Sequence, residues 1–148
     1  MREIKFRGKS VDDGKWYYGL PYFSKDRMKS QIRYDISERG CTVVDVIPET
    51  ISEFISIKDK NVIEIYENDI VKVKYKEWRE EYRCYAEWEE IEQIVFKDGA
   101  FMLMTEIDDV QFYRPLMKNF QGIELISLEV IGNIYESKEL LEEMKSEK

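Results

Sequence analysis

The run Ile94-Val95-Phe96-Lys97-Asp98-Gly99-Ala100-Phe101-Met102-Leu103-Met104 decides the fold. Two apolar, ring-bearing arms flank an Asp-Gly pair, and that pair supplies the positive φ angles of a tight turn between antiparallel strands. Working outward, Ile70 to Tyr75 alternates, with Val71, Val73 and Tyr75 facing one way and Lys72 and Lys74 facing solvent. Arg2 to Arg7 alternates too, placing Ile4 and Phe6 on one face. Asp13-Gly14 then predicts a turn into the ring-rich Lys15-Trp16-Tyr17-Tyr18-Gly19. Thr42 to Ile47 is β-branched and stops at Pro48. Ile51, Glu53, Ile55 and Ile57 share one face, and Ser52, Phe54 and Ser56 the other. Lys58 to Asn61 is a turn by composition, Ile63 to Tyr66 a short strand, and Glu67-Asn68-Asp69 a second turn.

The remaining stretches are less patterned. Tyr22 to Gly40 is polar and reads as a long loop with at most one short strand around Gln31 to Ile36. Such loops carry function more often than the strands they join. Lys76 to Tyr82 is dense in charge and reads as an exposed hairpin tip. Ile123 to Tyr135 supplies a further strand or two, with Gly132 marking a bulge. Ser137 is placed as an N-cap for a helix over Lys138 to Lys145, whose Leu140, Leu141 and Met144 share a face. Many short strands and one terminal helix indicate a mainly β, antiparallel fold. A sheet of this size closes or half-closes to remove its edges. No linker or repeat divides the chain, so residues 1–148 read as a single domain.

Composition restricts the chemistry. The 148 residues are 43% hydrophobic and 14% aromatic, which excludes a disordered chain. With 23 basic against 31 acidic residues the net charge is −8, so duplex nucleic acid, held through its phosphates, is disfavoured as a partner. There is no histidine, which removes the commonest general base and metal ligand. Cys41 and Cys84 form no Cys-x-x-Cys pair; Cys84 reads as a strand residue. No stretch reaches the roughly 18 apolar residues that cross a bilayer. The chain passes from Met1 directly into strand pattern, and a cytoplasmic protein is expected.

Gly-x-Gly-x-x-Gly, P-loop, Gly-x-Ser-x-Gly and His-Glu-x-x-His patterns are absent, and no cofactor or catalytic residue is expected. The densest carboxylate run, Glu87, Glu89, Glu90 and Glu92, could chelate a cation or mimic a phosphate backbone. It reads instead as a solvated strand face, because charged residues are seldom buried. Asp59, Asn61, Glu67 and Asp69 are candidate binding residues gathered by neighbouring turns, although Asp69 before Ile70 suits a turn that bonds its own backbone. Lys15, Trp16, Tyr17, Lys25 and Arg27, with Lys29 and Arg33, form the basic, ring-containing candidate region.

The block Val46-Ile47-Pro48-Glu49-Thr50-Ile51-Ser52-Glu53-Phe54, continued by Lys58-Asp59-Lys60-Asn61 and Glu64-Ile65-Tyr66-Glu67-Asn68-Asp69-Ile70-Val71, carries a resemblance. So do Met1-Arg2-Glu3-Ile4-Lys5-Phe6-Arg7 and Glu129-Val130-Ile131-Gly132-Asn133-Ile134-Tyr135-Glu136. The chain resembles the YopX family of phage and prophage proteins. The resemblance implies an SH3-like, partly open β barrel with extra hairpins, and no assigned activity. The family usually has glycines where this chain has Ser52, Ser56, Val62 and Asn68. Asn tolerates the left-handed region and Val resists it, so Asn61 is expected to take the left-handed position in the Asn61-Val62 turn. The expected function is that of a phage or prophage accessory protein, non-enzymatic, binding an unidentified protein or assembling as a homo-oligomer. The alternative is a nucleic-acid-associated or DNA-mimicking protein.

Overall fold

The structure, a computed structural model, describes residues 1–146. It contains two antiparallel sheets, one of them a curled half-barrel, and a short C-terminal helix. The fold is mainly β, as the turn and alternation signals predict. The chain forms two compact units, residues 1–57 and residues 58 onward.

The first unit contains β1 (Phe6–Lys9), β2 (Trp16–Ser24), β3 (Lys29–Ser37), β4 (Gly40–Asp45), a 3₁₀ turn (Pro48–Thr50) and β5 (Ser52–Lys58). These strands lie side by side in the order β4-β3-β2-β1-β5. Ser10 bridges to Val46 and the Val11 N–H donates to Asp45 O over 3.0 Å, so the end of β4 returns to the end of β1 and the sheet curls. Ile32 and Val46 are buried inside that curl. Gly8 lies against them: a Cβ there would come 2.9 Å from Ile32 Cγ1 and 3.0 Å from Val46 Cβ.

Two sequence readings are corrected here. Tyr22 to Gly40 is not a long loop; it is the end of β2, a four-residue turn, all of β3, and the start of β4. Leu20, Tyr22 and Phe23 all stay exposed on these strands, so the buried–exposed alternation that marks a strand is missing. The first strand also begins later than alternation indicates, at Phe6, and Ile4 is 60% exposed.

The second unit contains β6 (Glu64–Tyr66), β7 (Asp69–Arg79), β8 (Cys84–Lys97), β9 (Ala100–Ile107), β10 (Val110–Pro115), β11 (Asn119–Phe120), β12 (Ile123–Asn133) and α1 (Lys138–Ser146). Its sheet runs β10-β9-β8-β7-β12-β11. Val71, Val73 and Tyr75 are buried on one face as their spacing predicts, together with Ile94 and Leu103. Ile70, Ile91 and Met104 point the other way and pack with Met144 of α1, with Ile131, Ile134, Leu140 and Leu141 half-buried around them. The β8–β9 turn has φ +52 at Asp98 and +81 at Gly99, the double left-handed turn its Asp-Gly pair calls for.

β7 runs through Lys76 to Arg79, so the charged stretch expected to be a hairpin tip is mostly strand, and the turn itself is residues 80–83. The ring pair Trp78–Tyr85, with centroids 5.0 Å apart, holds the two strands together beyond the core. Register slips between Val130 and Gly132 on β12, the bulge its glycine marks.

Candidate functional site

In the first unit the registers Leu20↔Arg33 and Arg33↔Val43 put these three residues in one row across β2, β3 and β4. Tyr22, Gln31 and Asp45 form the next row on the same face. Leu20 is 52% exposed, Tyr22 57% and Val43 46%, so this is an apolar, ring-bearing surface open to solvent. Arg33 is held at its centre by Nε, which donates to Cys41 Sγ over 3.0 Å. Asp45 accepts from Gln31 Nε2 at 2.7 Å and Lys29 Nζ at 2.9 Å, and these bonds hold its carboxyl below the usual range. Two shallow grooves run across the face. One, of about 530 Å³, includes Lys5, Tyr18, Leu20 and Arg33 in its walls; the other, of about 510 Å³, is lined by Tyr22, Arg33, Cys41, Thr42 and Val43. Gly19 allows β2 and β3 to approach, because a Cβ there would collide with the Arg33 carbonyl oxygen.

The structure separates the basic, ring-containing candidates. Lys15 precedes β2, while Lys25 and Arg27 lie in the turn after it. Nine strand residues, at about 3.3 Å each, separate the two ends by up to about 30 Å of strand. Trp16 sits under the Arg7 guanidinium, 4.6 Å from its ring centroid. The Tyr17 hydroxyl donates to Asp13 Oδ2 over 2.7 Å, which raises its pKa, and its ring packs on Tyr34 at 5.2 Å. Trp16 and Tyr17 are thus engaged within the unit, whereas Lys25 and Arg27 remain exposed.

Of Asp59, Asn61, Glu67 and Asp69, the two aspartates bond backbone N–H groups. Asp59 is 7% exposed; Oδ1 accepts from the N–H groups of Asn61 at 2.8 Å and Ile63 at 2.9 Å, and Oδ2 from Val130 at 2.9 Å. Burial pushes its carboxyl up, and the three N–H donors outweigh burial, leaving it below the usual range. Asn61 is the exposed donor in that turn. Glu67 is half-buried between β6 and β7, and Asp69, buried, accepts the Tyr66 N–H at 2.8 Å. Among the described residues no cluster of three or more Cys, Asp or Glu side chains could hold a metal ion.

Positive φ occurs at Ser56 (+71°), Val62 (+64°) and Asn68 (+69°), three of the four positions at which the resemblance implies glycine. Val62 itself is left-handed and Asn61 is not, which corrects the expected turn geometry. The fourth position, Ser52, is buried, faces Arg7 across β1 and donates its hydroxyl to Thr50 O at 3.0 Å.

The Glu87–Glu92 run is not one solvated face. The register sets Glu87 and Glu89 opposite Lys76 and Lys74, and Lys74 Nζ lies 3.4 Å from Glu87 Oε2. Glu90 and Glu92 turn to the face of Val71 and Val73. Glu92 is 4% exposed and accepts the Tyr75 hydroxyl at 2.6 Å; burial and this carboxylate drive the tyrosine pKa far up. Arg114 stands over the Tyr75 ring at 5.1 Å and donates to the Ile123 carbonyl at 3.0 Å. Sequence reasoning missed this group because Arg114 lies on β10, a strand without a turn signal its pattern could reveal.

No helix among the described residues is long and apolar enough to cross a membrane. No curated protein matches the chain. The family model described as YopX protein matches residues 5–142, nearly the whole chain. The central block, the three left-handed positions within it and the closing β12 all fall inside that match, and the chain belongs to the YopX protein family.

Proposed function

We propose that this is a non-enzymatic accessory protein of the phage or prophage type, which acts by contact through the outer face of β2, β3 and β4. The observation that carries this reading is the row Leu20–Arg33–Val43 with Tyr22 beside it: apolar side chains about half exposed around one fixed guanidinium. Exposed aromatic and aliphatic side chains around an arginine are the composition of protein-binding surfaces. The face offers no nucleophile paired with a base, and its carboxylate is committed to Lys29 and Gln31. A contact role is what these groups support.

The second reading, association with a nucleic-acid strand, has one observation in its favour. Charge is segregated: residues 1–57 contain 10 basic and 9 acidic residues, whereas residues 58–148 contain 13 and 22. The net −8 therefore does not oppose a phosphate chain at the first unit, where Lys25, Arg27, Lys29 and Arg33 lie. DNA mimicry loses support, because the acidic run is divided between facing lysines and an apolar face.

The test has two arms on the full chain. Quantitative capture of partner proteins from a host extract should drop at least tenfold for Leu20→Asp and for Tyr22→Ser. Anisotropy of a labelled single-stranded oligonucleotide should show only weak binding at physiological salt. Capture unchanged by both substitutions overturns the contact-face reading, and submicromolar oligonucleotide binding lost on Lys25→Glu with Arg27→Glu replaces it with the second.

A further inference from the structure

We infer that a cleft on the second sheet binds a small zwitterion of the amino-acid class, its carboxylate at Arg114 and its ammonium at Glu90 and Glu92. The site lies within the unit of residues 58 onward and does not depend on the contact-face reading.

The sheet makes the cleft by curling. β10 and β12 stand four places apart in the order β10-β9-β8-β7-β12, which in a flat sheet is about 19 Å at about 4.8 Å per strand. Yet Arg114 Nη2 on β10 donates to Ile123 O on β12 over 3.0 Å. The face of Val71, Val73 and Tyr75 is therefore concave. The registers Tyr75↔Trp88, Val73↔Glu90 and Val71↔Glu92 put both rings and both carboxylates on that face. Leu103, paired with Ile94 on one side and Arg114 on the other, puts the arginine there too. The cleft measures about 130 Å³ and is lined by Tyr75, Trp88, Glu90, Glu92, Arg114 and Ile123.

Its charges are held apart at two ends. Glu92, 4% exposed, accepts the Tyr75 hydroxyl at 2.6 Å, and Glu90 accepts the Trp88 indole N–H at 3.2 Å. Arg114 stands over the face of the same tyrosine, 5.1 Å from the ring centroid, so one ring separates the positive end from the negative end. The Arg114 Nη groups donate to the carbonyls of Pro115, Met117 and Ile123. Its Nε is buried and donates to no acceptor among the described residues. A buried N–H without an acceptor is rare in folded proteins, and here it calls for an oxygen from outside the chain. At the other end two carboxylates face one guanidinium, and the ring faces add negative potential, so a positive group belongs there. A ligand that meets both demands has an oxygen anion and an ammonium a few bonds apart, as on a single α-carbon. The space equals about four water molecules at about 30 Å³ each, room for glycine or alanine and too little for a drug-sized ligand. Trp88 and Ile123 give the hydrocarbon of such a ligand an apolar wall.

The experiment titrates the full chain, carrying isotope-labelled tryptophan, with L-alanine and reads the indole N–H resonances of Trp16, Trp78 and Trp88. Trp88→Phe assigns the resonance that belongs to the cleft. L-Alanine should move it with half-saturation on the order of 1 mM, an affinity that a ligand of about six non-hydrogen atoms can carry. The other two resonances should stay in place. L-Alaninamide, which lacks the carboxylate, and N-acetyl-L-alanine, which lacks the ammonium, should each require at least tenfold more. Glu90→Gln keeps an acceptor for the Trp88 indole and removes a charge, and Arg114→Lys keeps the charge and removes Nε. Each should raise the half-saturation for L-alanine at least tenfold, with circular dichroism unchanged. The site is overturned if L-alanine leaves Trp88 unmoved, if it moves all three indoles alike, or if Glu90→Gln binds it as the wild type does. An equal response to either single-charge analogue overturns the zwitterion.

Discussion

Asn68 Nδ2 donates to the Tyr135 hydroxyl over 2.9 Å, joining residues 67 apart in sequence. The same side chain accepts from Gln93 Nε2 at 3.2 Å through Oδ1. Its main chain donates to Ile94 O at 2.8 Å and accepts from the Ile134 N–H at 3.1 Å. With φ at +69°, Asn68 meets the left-handed requirement of the turn and ties β8 and the end of β12 to it. A glycine here would meet the first need only.

Replacing Asn68 separates the two contributions. Asn68→Gly keeps the backbone angle and loses two side-chain hydrogen bonds, each worth about 0.5–1.5 kcal/mol. Asn68→Ala loses the same bonds and adds about 1–2 kcal/mol for an L-residue in the left-handed region. Denaturant midpoints should fall in the order wild type, Asn68→Gly, Asn68→Ala. Equal midpoints for the two variants would mean that this φ is not held in solution.

Val62 is the opposite case. It is 71% exposed, so its side chain has little packing to lose, yet it sits at φ +64° in a turn closed by its N–H to Asp59 O at 3.0 Å. Val62→Gly should relieve about 1–2 kcal/mol of left-handed strain against about 0.5–1 kcal/mol of added chain entropy. The net expectation is a stabilisation of about 0.5–1 kcal/mol, read as a higher urea midpoint. Destabilisation would restore the geometry that the sequence alone suggests, with Asn61 left-handed and Val62 extended.

Legibility in this sequence followed from whether a local signal had a single structural reading. The β8–β9 hairpin was readable because Asp98-Gly99 names its turn type. The β9–β10 turn has the same double left-handed geometry at Asp108 (+49°) and Asp109 (+62°), but Asp-Asp does not advertise it. β2 was unreadable because Leu20, Tyr22 and Phe23 are all exposed although they fall on both of its faces, which erases the alternation that solvent normally imposes. The outer face became visible only through registers such as Leu20↔Arg33, which relate residues 13 apart that no sequence period connects. Lys15 and Lys25 looked like neighbours in a basic region because sequence distance hides that the whole of β2 separates them. Glu92 was misread for the usual reason: a carboxylate in a charged run is normally solvated, and the tyrosine that receives it lies 17 residues away.

Asp59 gives the acid limb of stability a specific source. Burial raises its carboxyl, but the N–H groups of Val130, Ile63 and Asn61 lower it more, so the folded pKa lies below the ordinary value near 3.9. Its contribution is therefore complete above about pH 4 and fades as pH falls through the depressed folded value. Asp59→Asn retains one acceptor oxygen and no charge. It should lower stability at neutral pH by about 1.5–3 kcal/mol, the worth of a charge-assisted hydrogen bond. It should also flatten the acid limb, so that the two stability curves converge as pH falls through the depressed folded value. Curves that stay parallel through that fall would assign the acid loss to other carboxylates.

Gly132 tests how the C-terminal helix is seated. At the β12 bulge a Cβ would collide with Ser137 Oγ and would lie 2.7 Å from Leu140 Cδ1. Ser137 Oγ accepts the Asn133 N–H at 3.3 Å, and Asn133 Oδ1 accepts those of Tyr135 at 2.9 Å and Glu136 at 3.0 Å, so the turn into α1 is built on this close approach. Met144, 2% exposed, completes the cluster with Ile70, Ile91 and Met104 only when the helix lies against the sheet. Gly132→Ala should cost about 1–3 kcal/mol, the range for forcing atoms into a packed site. It should also speed amide exchange in residues 138–145 more than in β8. Gly99→Ala is the control, because nothing lies within 4 Å of a Cβ there and its only penalty is φ +81°. That variant should leave helix exchange at the wild-type rate. If Gly132→Ala also leaves it there, the helix is not held by its contact with the bulge.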